Sequence, residues 1–161
     1  MIIVSACLLG IKCRYDGKTS PDKKMLAMAH EGIFIPLCPE QLGGLPTPRP
    51  PAQIVGGQGI DVLDERAKVC DANNREVTHH FLKGAEEVIR IAKLMKVKKA
   101  IMKEMSPSCG VCSIYQHDVI VEGMGVTTAL LMRTGIHVIS SDNIKDQSAN
   151  LLINGGANGP G

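Results

Sequence analysis

Aromatic side chains are almost missing from this sequence: there is no tryptophan, and Phe34, Phe81, Tyr15 and Tyr115 are the whole phenylalanine and tyrosine complement. The core must therefore be assembled from Val, Ile, Leu, Met and Ala. Stacking platforms of the kind that hold single-stranded nucleic acid are lacking too. No apolar run approaches the length of a membrane span. Residues 1–7 have neither the basic start nor the long apolar stretch of a signal peptide. There is no dense basic run, and the formal net charge is only +2. Lys96, Lys98 and Lys99 read as a solvated helix end. These absences predict a cytoplasmic protein with no membrane association. They also predict no stable nucleic-acid complex, because affinity for the phosphate backbone follows the number of cations offered.

What is present suits one globular domain. The 161 residues are enough to bury a core without staples. Short apolar runs at 2–4, 33–35, 100–102 and 136–139 read as buried strands. Between them lie helical patterns. Ser20-Pro21-Asp22 predicts a helix start with Ser20 as N-cap, and Gly32 a stop. From Thr78, the residues Phe81, Ala85, Val88, Ile89, Ala92 and Met95 recur on one helical face. Thr78 is the expected cap there, with Val77 stapled to Leu82. Val126, Ala129 and Leu130 mark another helix, closed by Gly135. The Gly/Pro-rich stretch 43–51 excludes helix and central strand, and 52–77 reads only as extended chain with one or two short elements. The pattern predicts a single α/β domain over residues 1–144, with a mainly parallel, Rossmann-like sheet flanked by helices. A polar, Gly-rich tail follows over 145–161.

Six cysteines stand out, at 7, 13, 38, 70, 109 and 112. In a reducing compartment they are metal ligands, reactive thiols or buried apolar residues rather than a disulfide framework. Three lie in the loops into which strands run: Cys7 after 2–4, Cys38 after 33–35 and Cys109 after 100–102. Sites in open parallel sheets form beyond the carboxyl ends of the strands, so three loops would each deliver a thiol to one place. Zinc structural sites want four ligands, usually as paired short spacings, and Cys109-Gly-Val-Cys112 offers one such pair without a second. A cubane iron–sulfur cluster on three cysteines would leave one iron without a protein ligand, which suits catalysis better than electron transfer. Nearby polar groups are Asp16, Glu40, Ser106 and Ser108. Either acid could move a proton, and a serine could orient a substrate or simply serve a turn. Arg49 could bind a carbonyl or acidic group, or form a structural salt bridge.

Four motifs together resemble the DUF523 family: Val4-Ser-Ala-Cys-Leu-Leu-Gly10, Cys13-Arg-Tyr-Asp-Gly17, Cys38-Pro-Glu-Gln-Leu-Gly-Gly-Leu-Pro-Thr-Pro-Arg49 and Ser106-Pro-Ser-Cys-Gly110. Val77-Thr78, Phe81, Gly84-Ala85 and the stretch from Gly123 to Ile136 fit it as well, so the likeness spans about residues 1 to 142. The family includes thiouracil desulfidases. The resemblance implies a [4Fe–4S] cluster on Cys7, Cys38 and Cys109, with Cys13 as the alternative to Cys7. It further implies acid–base or positioning roles for Glu40, Asp16 and one of Ser106 and Ser108. The implied reaction is a non-redox desulfuration of a small thiolated heterocycle such as thiouracil, releasing sulfide, by a monomer or homodimer. Cys112 and Cys70 lie outside the family pattern. The rival reading is a non-catalytic metal-binding or redox-sensing module built on Cys109 and Cys112. A sulfur carrier acting on thiolated RNA is disfavoured by the small net charge.

Overall fold

A computed structural model describes residues 1–144; the predicted tail lies outside the described residues. In chain order the elements are β1 (Ile2–Ser5), α1 (Lys23–Ala29), β2 (Phe34–Leu37), α2 (Pro39–Leu42), β3 (Ala52–Val55), α3 (Gly59–Leu63), β4 (Lys68–Asp71), α4 (Thr78–Leu94), β5 (Lys99–Met102), β6 (Ser113–Gln116), β7 (Val119–Glu122), α5 (Val126–Arg133) and β8 (His137–Ser140). Four strands form one sheet in the order β2-β1-β5-β8, and every pairing in it is parallel. The α/β reading with a mainly parallel sheet therefore holds.

Alternation along these strands divides the core in two, because successive side chains leave a strand on opposite faces. Ile3, Ala100, Met102 and Val138 pack with Val88, Ile89, Ala92 and Leu131 from α4 and α5. Ile2, Val4 and Ile101 pack on the other face with Met25 and Met28 of α1. A third apolar core gathers Ile54, Val62, Val69, Phe81 and Ile114, with Val77 and Leu82 packed against it. This last core lies under two antiparallel ribbons, β3–β4 and β6–β7. Residues 52–77 thus contain a strand pair around the short helix α3, and 113–122 a hairpin that sequence pattern does not reveal. His117 and Asp118 both have positive φ, 49° and 62°. That is the backbone a tight two-residue hairpin turn demands, here without the usual Asn-Gly.

Two predicted caps are corrected. The N-cap of α1 is Asp22, whose Oδ1 accepts from the Lys24 and Met25 N–H groups at 2.8 and 3.1 Å. A short carboxylate serves both orphan donors and the helix dipole together, so it displaces Ser20 from the role. Thr78 is the first residue of α4 rather than its cap. Its hydroxyl instead accepts from the Val69 N–H at 3.0 Å and ties α4 to β4. The close approach of α2 to α4 depends on glycine. A Cβ on Gly84 would overlap the Pro39 carbonyl, and one on Gly43 the His80 carbonyl. That contact fixes α2, and with it Cys38 and Glu40, against the long helix.

Candidate functional site

The three strand-end loops converge. A cavity of about 770 Å³ opens beyond the carboxyl edge of the sheet and is lined by Cys7, Cys13, Cys38 and Cys109 together with Glu40, Arg49 and Ser106. Tyr115, His117 and Asp118 of the β6–β7 turn region and Gln53 and Asp71 of the other ribbon form its far side. A second hollow, about 500 Å³ between Val55 and Leu82, is lined by none of the cysteines. All six cysteines are free thiols.

Each loop reaches the cavity in its own way. After β1 the chain enters a one-turn 3-10 helix over Ala6–Leu9, which buries Cys7. The Cys7 carbonyl accepts from the Ser20 N–H and the Thr19 hydroxyl. Cys13 follows on an irregular loop and is 2% exposed. Cys38 is the N-cap of α2, with Pro39 in the first helical position. The loop after β5 carries Cys109. There Ser106 Oγ accepts from the Ser108 and Cys109 N–H groups at 3.1 and 3.0 Å, and Thr128 Oγ1 donates to the Cys109 carbonyl at 2.8 Å. Gly110 permits the tight return, since a Cβ there would run into the Ser113 and Ser106 carbonyls.

The predicted polar residues divide. Glu40 lines the cavity, and its Oε2 accepts from Arg49 Nε at 2.6 Å. Arg49 is 8% exposed, and the rest of its fork is spent on protein oxygens: Pro46 O, Thr47 Oγ1 and Cys13 O. Of the two expectations for Arg49, the salt bridge is the one the structure shows. The structure does not bring Asp16 to the cavity; burial pushes its carboxyl up, but the Lys18 N–H and the Arg14 guanidinium that hold it together prevail and keep it below the usual aspartate value. Ser108 is buried against Thr127 Oγ1 at 2.9 Å, also off the cavity wall. Cys112 is exposed and does not line the cavity, so the Cys109/Cys112 pair does not form a joint site.

Sequence reasoning missed Glu104, which is 6% exposed. Its carboxylate accepts from the N–H groups of Val111, Cys112 and Ser113 at 3.1–3.2 Å and from Ser113 Oγ at 3.1 Å. Burial alone would raise its pKa. Bonds from Ser140 and from these backbone donors outweigh that and hold it below the usual glutamate value. No motif announces this residue, because its partners are backbone groups of a loop that must first fold back. Ser5 was also missed: its hydroxyl accepts from the Lys103 N–H at 3.0 Å and bonds the Cys109 thiol.

Three of the cavity thiols, Cys13, Cys38 and Cys109, are raised above the ordinary thiol range. Burial pushes Cys109 up to about 12. The bond with Cys13, then burial, pushes Cys38 far above the ordinary thiol range. For Cys13, hydrogen bonding with Cys38 pulls downward, but the bond with Cys7, burial and the Cys7 charge prevail, raising it to about 11. Buried thiols of this kind stay protonated until a cation takes the place of their protons. Among the described residues, no three His, Cys, Asp or Glu side chains are grouped for a single metal ion. Sulfurs spread around a cavity suit a larger, multi-iron group better than one ion.

A parallel α/β sheet with a cysteine-lined cavity at its carboxyl edge defines a thiolate-site enzyme class rather than a disulfide or zinc-finger scaffold. Residues 2–143 match the 2-thiouracil desulfurase family, and the chain belongs to that family, whose enzymes act on carbon–sulfur bonds. It is 42% identical over 149 residues to the uncharacterized protein YbbK of Bacillus subtilis (strain 168), covering 91% of this chain and 99% of that one. Among solved structures it is similar to the [4Fe-4S]-dependent thiouracil desulfidase TudS (DUF523Vcz), with a TM-score of 0.80 and 40% identity over 94% of this chain and 97% of that one. The resemblance read from the four motifs is thus borne out. Among the described residues no helix is long and apolar enough to cross a membrane.

Proposed function

We propose that this protein removes sulfur, as sulfide, from a small thiolated heterocycle of the thiouracil type, using a [4Fe–4S] cluster held by Cys7, Cys38 and Cys109. The observation that carries this reading is the delivery of thiols by three strand-end loops to one cavity that also holds the Glu40 carboxylate. The donor set fits the cofactor: the sulfurs are free and buried or half-buried, and no disulfide competes for them. When bound, such a cluster offers an iron without its own thiolate, a Lewis acid that polarises a C=S bond.

The chain supplies the rest. Glu40 is oriented by the Arg49 fork through one carboxylate oxygen, and the other is left to take a proton from water attacking the thiocarbonyl carbon. Carbon gains oxygen and loses sulfur, the water protons leave with the sulfide, and no electrons change hands. Ser106 orients the Cys109 loop through its hydroxyl and is itself a residue of the cavity wall. Gln53, Asp71 and Tyr115 line the same cavity and are the groups it offers to the ring.

Anaerobic reconstitution with iron and sulfide, followed by sulfide release from 2-thiouracil, tests the proposal. Near-equal iron and acid-labile sulfide with a broad visible charge-transfer band is the expected result. Bound zinc without inorganic sulfide would overturn it. With the cluster retained, Glu40→Gln should lower kcat by about 100-fold, the scale of one lost general base; full turnover would remove Glu40 from the proton path.

A further inference from the structure

The few aromatic side chains of this chain divide by kind. The two phenylalanines serve the cores: Phe81 is 1% exposed, and Phe34 packs against the core that includes Met25. The two tyrosines, Tyr15 and Tyr115, both line the cysteine cavity, and they stay 42% and 44% exposed. Among the described residues neither phenol hydroxyl has a hydrogen-bond partner, and neither ring packs against another aromatic. Their backbones, in contrast, are fixed. The Tyr15 carbonyl accepts from the Arg49 N–H at 2.8 Å, and the Arg14 guanidinium stands 5.7 Å from the Tyr15 ring centroid. Tyr115 lies in β6, opposite Ile120 of β7. The two residues after it tie the hairpin to the rest of the chain: Gln116 Nε2 donates to the Gly57 carbonyl and the His117 N–H to Gln53 Oε1, both at 2.6 Å. Two flat, water-exposed rings on anchored chain are thus held at one cavity.

From this arrangement we infer that Tyr15 and Tyr115 receive the faces of the substrate ring, so that the site selects a planar, unsaturated heterocycle over a puckered ring with the same polar groups. The inference rests on the desulfidase reading above and deepens it by naming what recognises the ring. Closing an exposed aromatic side chain against a flat ligand removes apolar surface of both from water, and offset stacking adds to that gain. Stacking reads flatness and makes no demand on the groups at the ring edge. A ring held by its faces therefore keeps its edge, with the thiocarbonyl, open to Glu40 and the attacking water, and the reacting atoms stay in one orientation. Two tyrosines suit a single heterocycle and are too few to follow a strand of bases.

The test compares two ligands that share their carbonyl and N–H groups and differ in flatness: uracil, which is planar, and 5,6-dihydrouracil, which is puckered. Binding of each to the reconstituted protein is measured by calorimetry, and the KM for 2-thiouracil is measured beside it. Wild type should prefer uracil by at least about 10-fold, the scale of one stacked base. Tyr15→Leu and Tyr115→Leu should each weaken uracil binding by about 10-fold and move dihydrouracil by less than about 3-fold, because leucine keeps the bulk and loses the stack. The KM for 2-thiouracil should rise with the uracil constant, while kcat changes little. Tyr15→Phe and Tyr115→Phe should restore the preference. Equal binding of the two ligands by wild type would overturn the inference. So would leucine variants that weaken both ligands alike, since that marks a structural role, or a loss confined to one of the two tyrosines. Wild type that prefers uracil through both tyrosines yet releases no sulfide would sustain ring recognition and remove the desulfidation alone.

Discussion

The loops of Cys13 and Cys109 approach one cavity from the two faces of the sheet, and groups of opposite charge hold them. Cys13 packs with the core that includes Met25 and Met28, Cys109 with the core under α4 and α5. On the first side a guanidinium donates outward: Arg49 grips the carbonyls of Pro46 and Cys13 and the carboxylate of Glu40. On the second a carboxylate collects inward: Glu104 takes the N–H groups of three successive residues. The two solutions answer one requirement, since backbone polar groups removed from water need partners. They leave different freedom. The Glu104 loop is closed around its anchor. The Cys13 loop is held at its carbonyls while Ile11 and Tyr15 face solvent.

That contrast can be broken most sharply at Arg49. Arg49→Met strips the partner from a Glu40 carboxylate that is only 15% exposed, so unfolding in urea should show a loss of about 3–5 kcal/mol. A loss below 1 kcal/mol would mean that Glu40 rehydrates and that the anchor is weaker than its geometry. On the other side, Glu104→Gln puts an NH2 group among backbone donors. About 2 kcal/mol should be lost, and the visible spectrum of the reconstituted protein should weaken as Cys109 loses its place.

Acid sharpens the same comparison. The Glu104 pKa is lower folded than unfolded, so its contribution is complete above the unfolded value and disappears as pH falls through the folded one. The stability gap between wild type and Glu104→Gln should therefore begin to narrow as pH falls below about 5, where an unfolded glutamate begins to protonate. A gap independent of pH would show that shape rather than charge distinguishes the two side chains. The smallest effect is expected for Ser106→Ala, about 1 kcal/mol, because Thr128 still holds the Cys109 carbonyl. Thermal unfolding would check it; a loss as large as that of Glu104→Gln would make Ser106 the principal anchor.

The sheet and the site edge were legible because both are written in local pattern. Apolar runs marked the four parallel strands to within about two residues, and α4 followed from its apolar face. Three of the four strand ends, those of β1, β2 and β5, were followed by a cysteine loop, and the convergence of those loops needed only the rule for parallel sheets. The ribbons were not legible. β6 and β7 have an exposed face, with Tyr115, Val119 and Ile120 all more than 40% exposed, so no clean alternation marks them. Among the predicted polar residues, Glu40 and Ser106 reached the cavity whereas Asp16 and Ser108 found partners elsewhere. Sequence proximity to a cysteine does not fix where a side chain turns.

By itself the sequence determined the order of the four sheet strands and of α1, α4 and α5 between them, the family and the set of thiols. These depend on hydrophobic period and on motifs that act within a few residues of themselves. Only the tertiary structure decided that Arg49 is spent on Glu40 and Cys13, that Glu104 closes the Cys109 loop, and that a fourth thiol shares the cavity. Those outcomes join residues far apart in the chain, and burial at the carboxyl edge is what obliges each donor and acceptor there to find its partner.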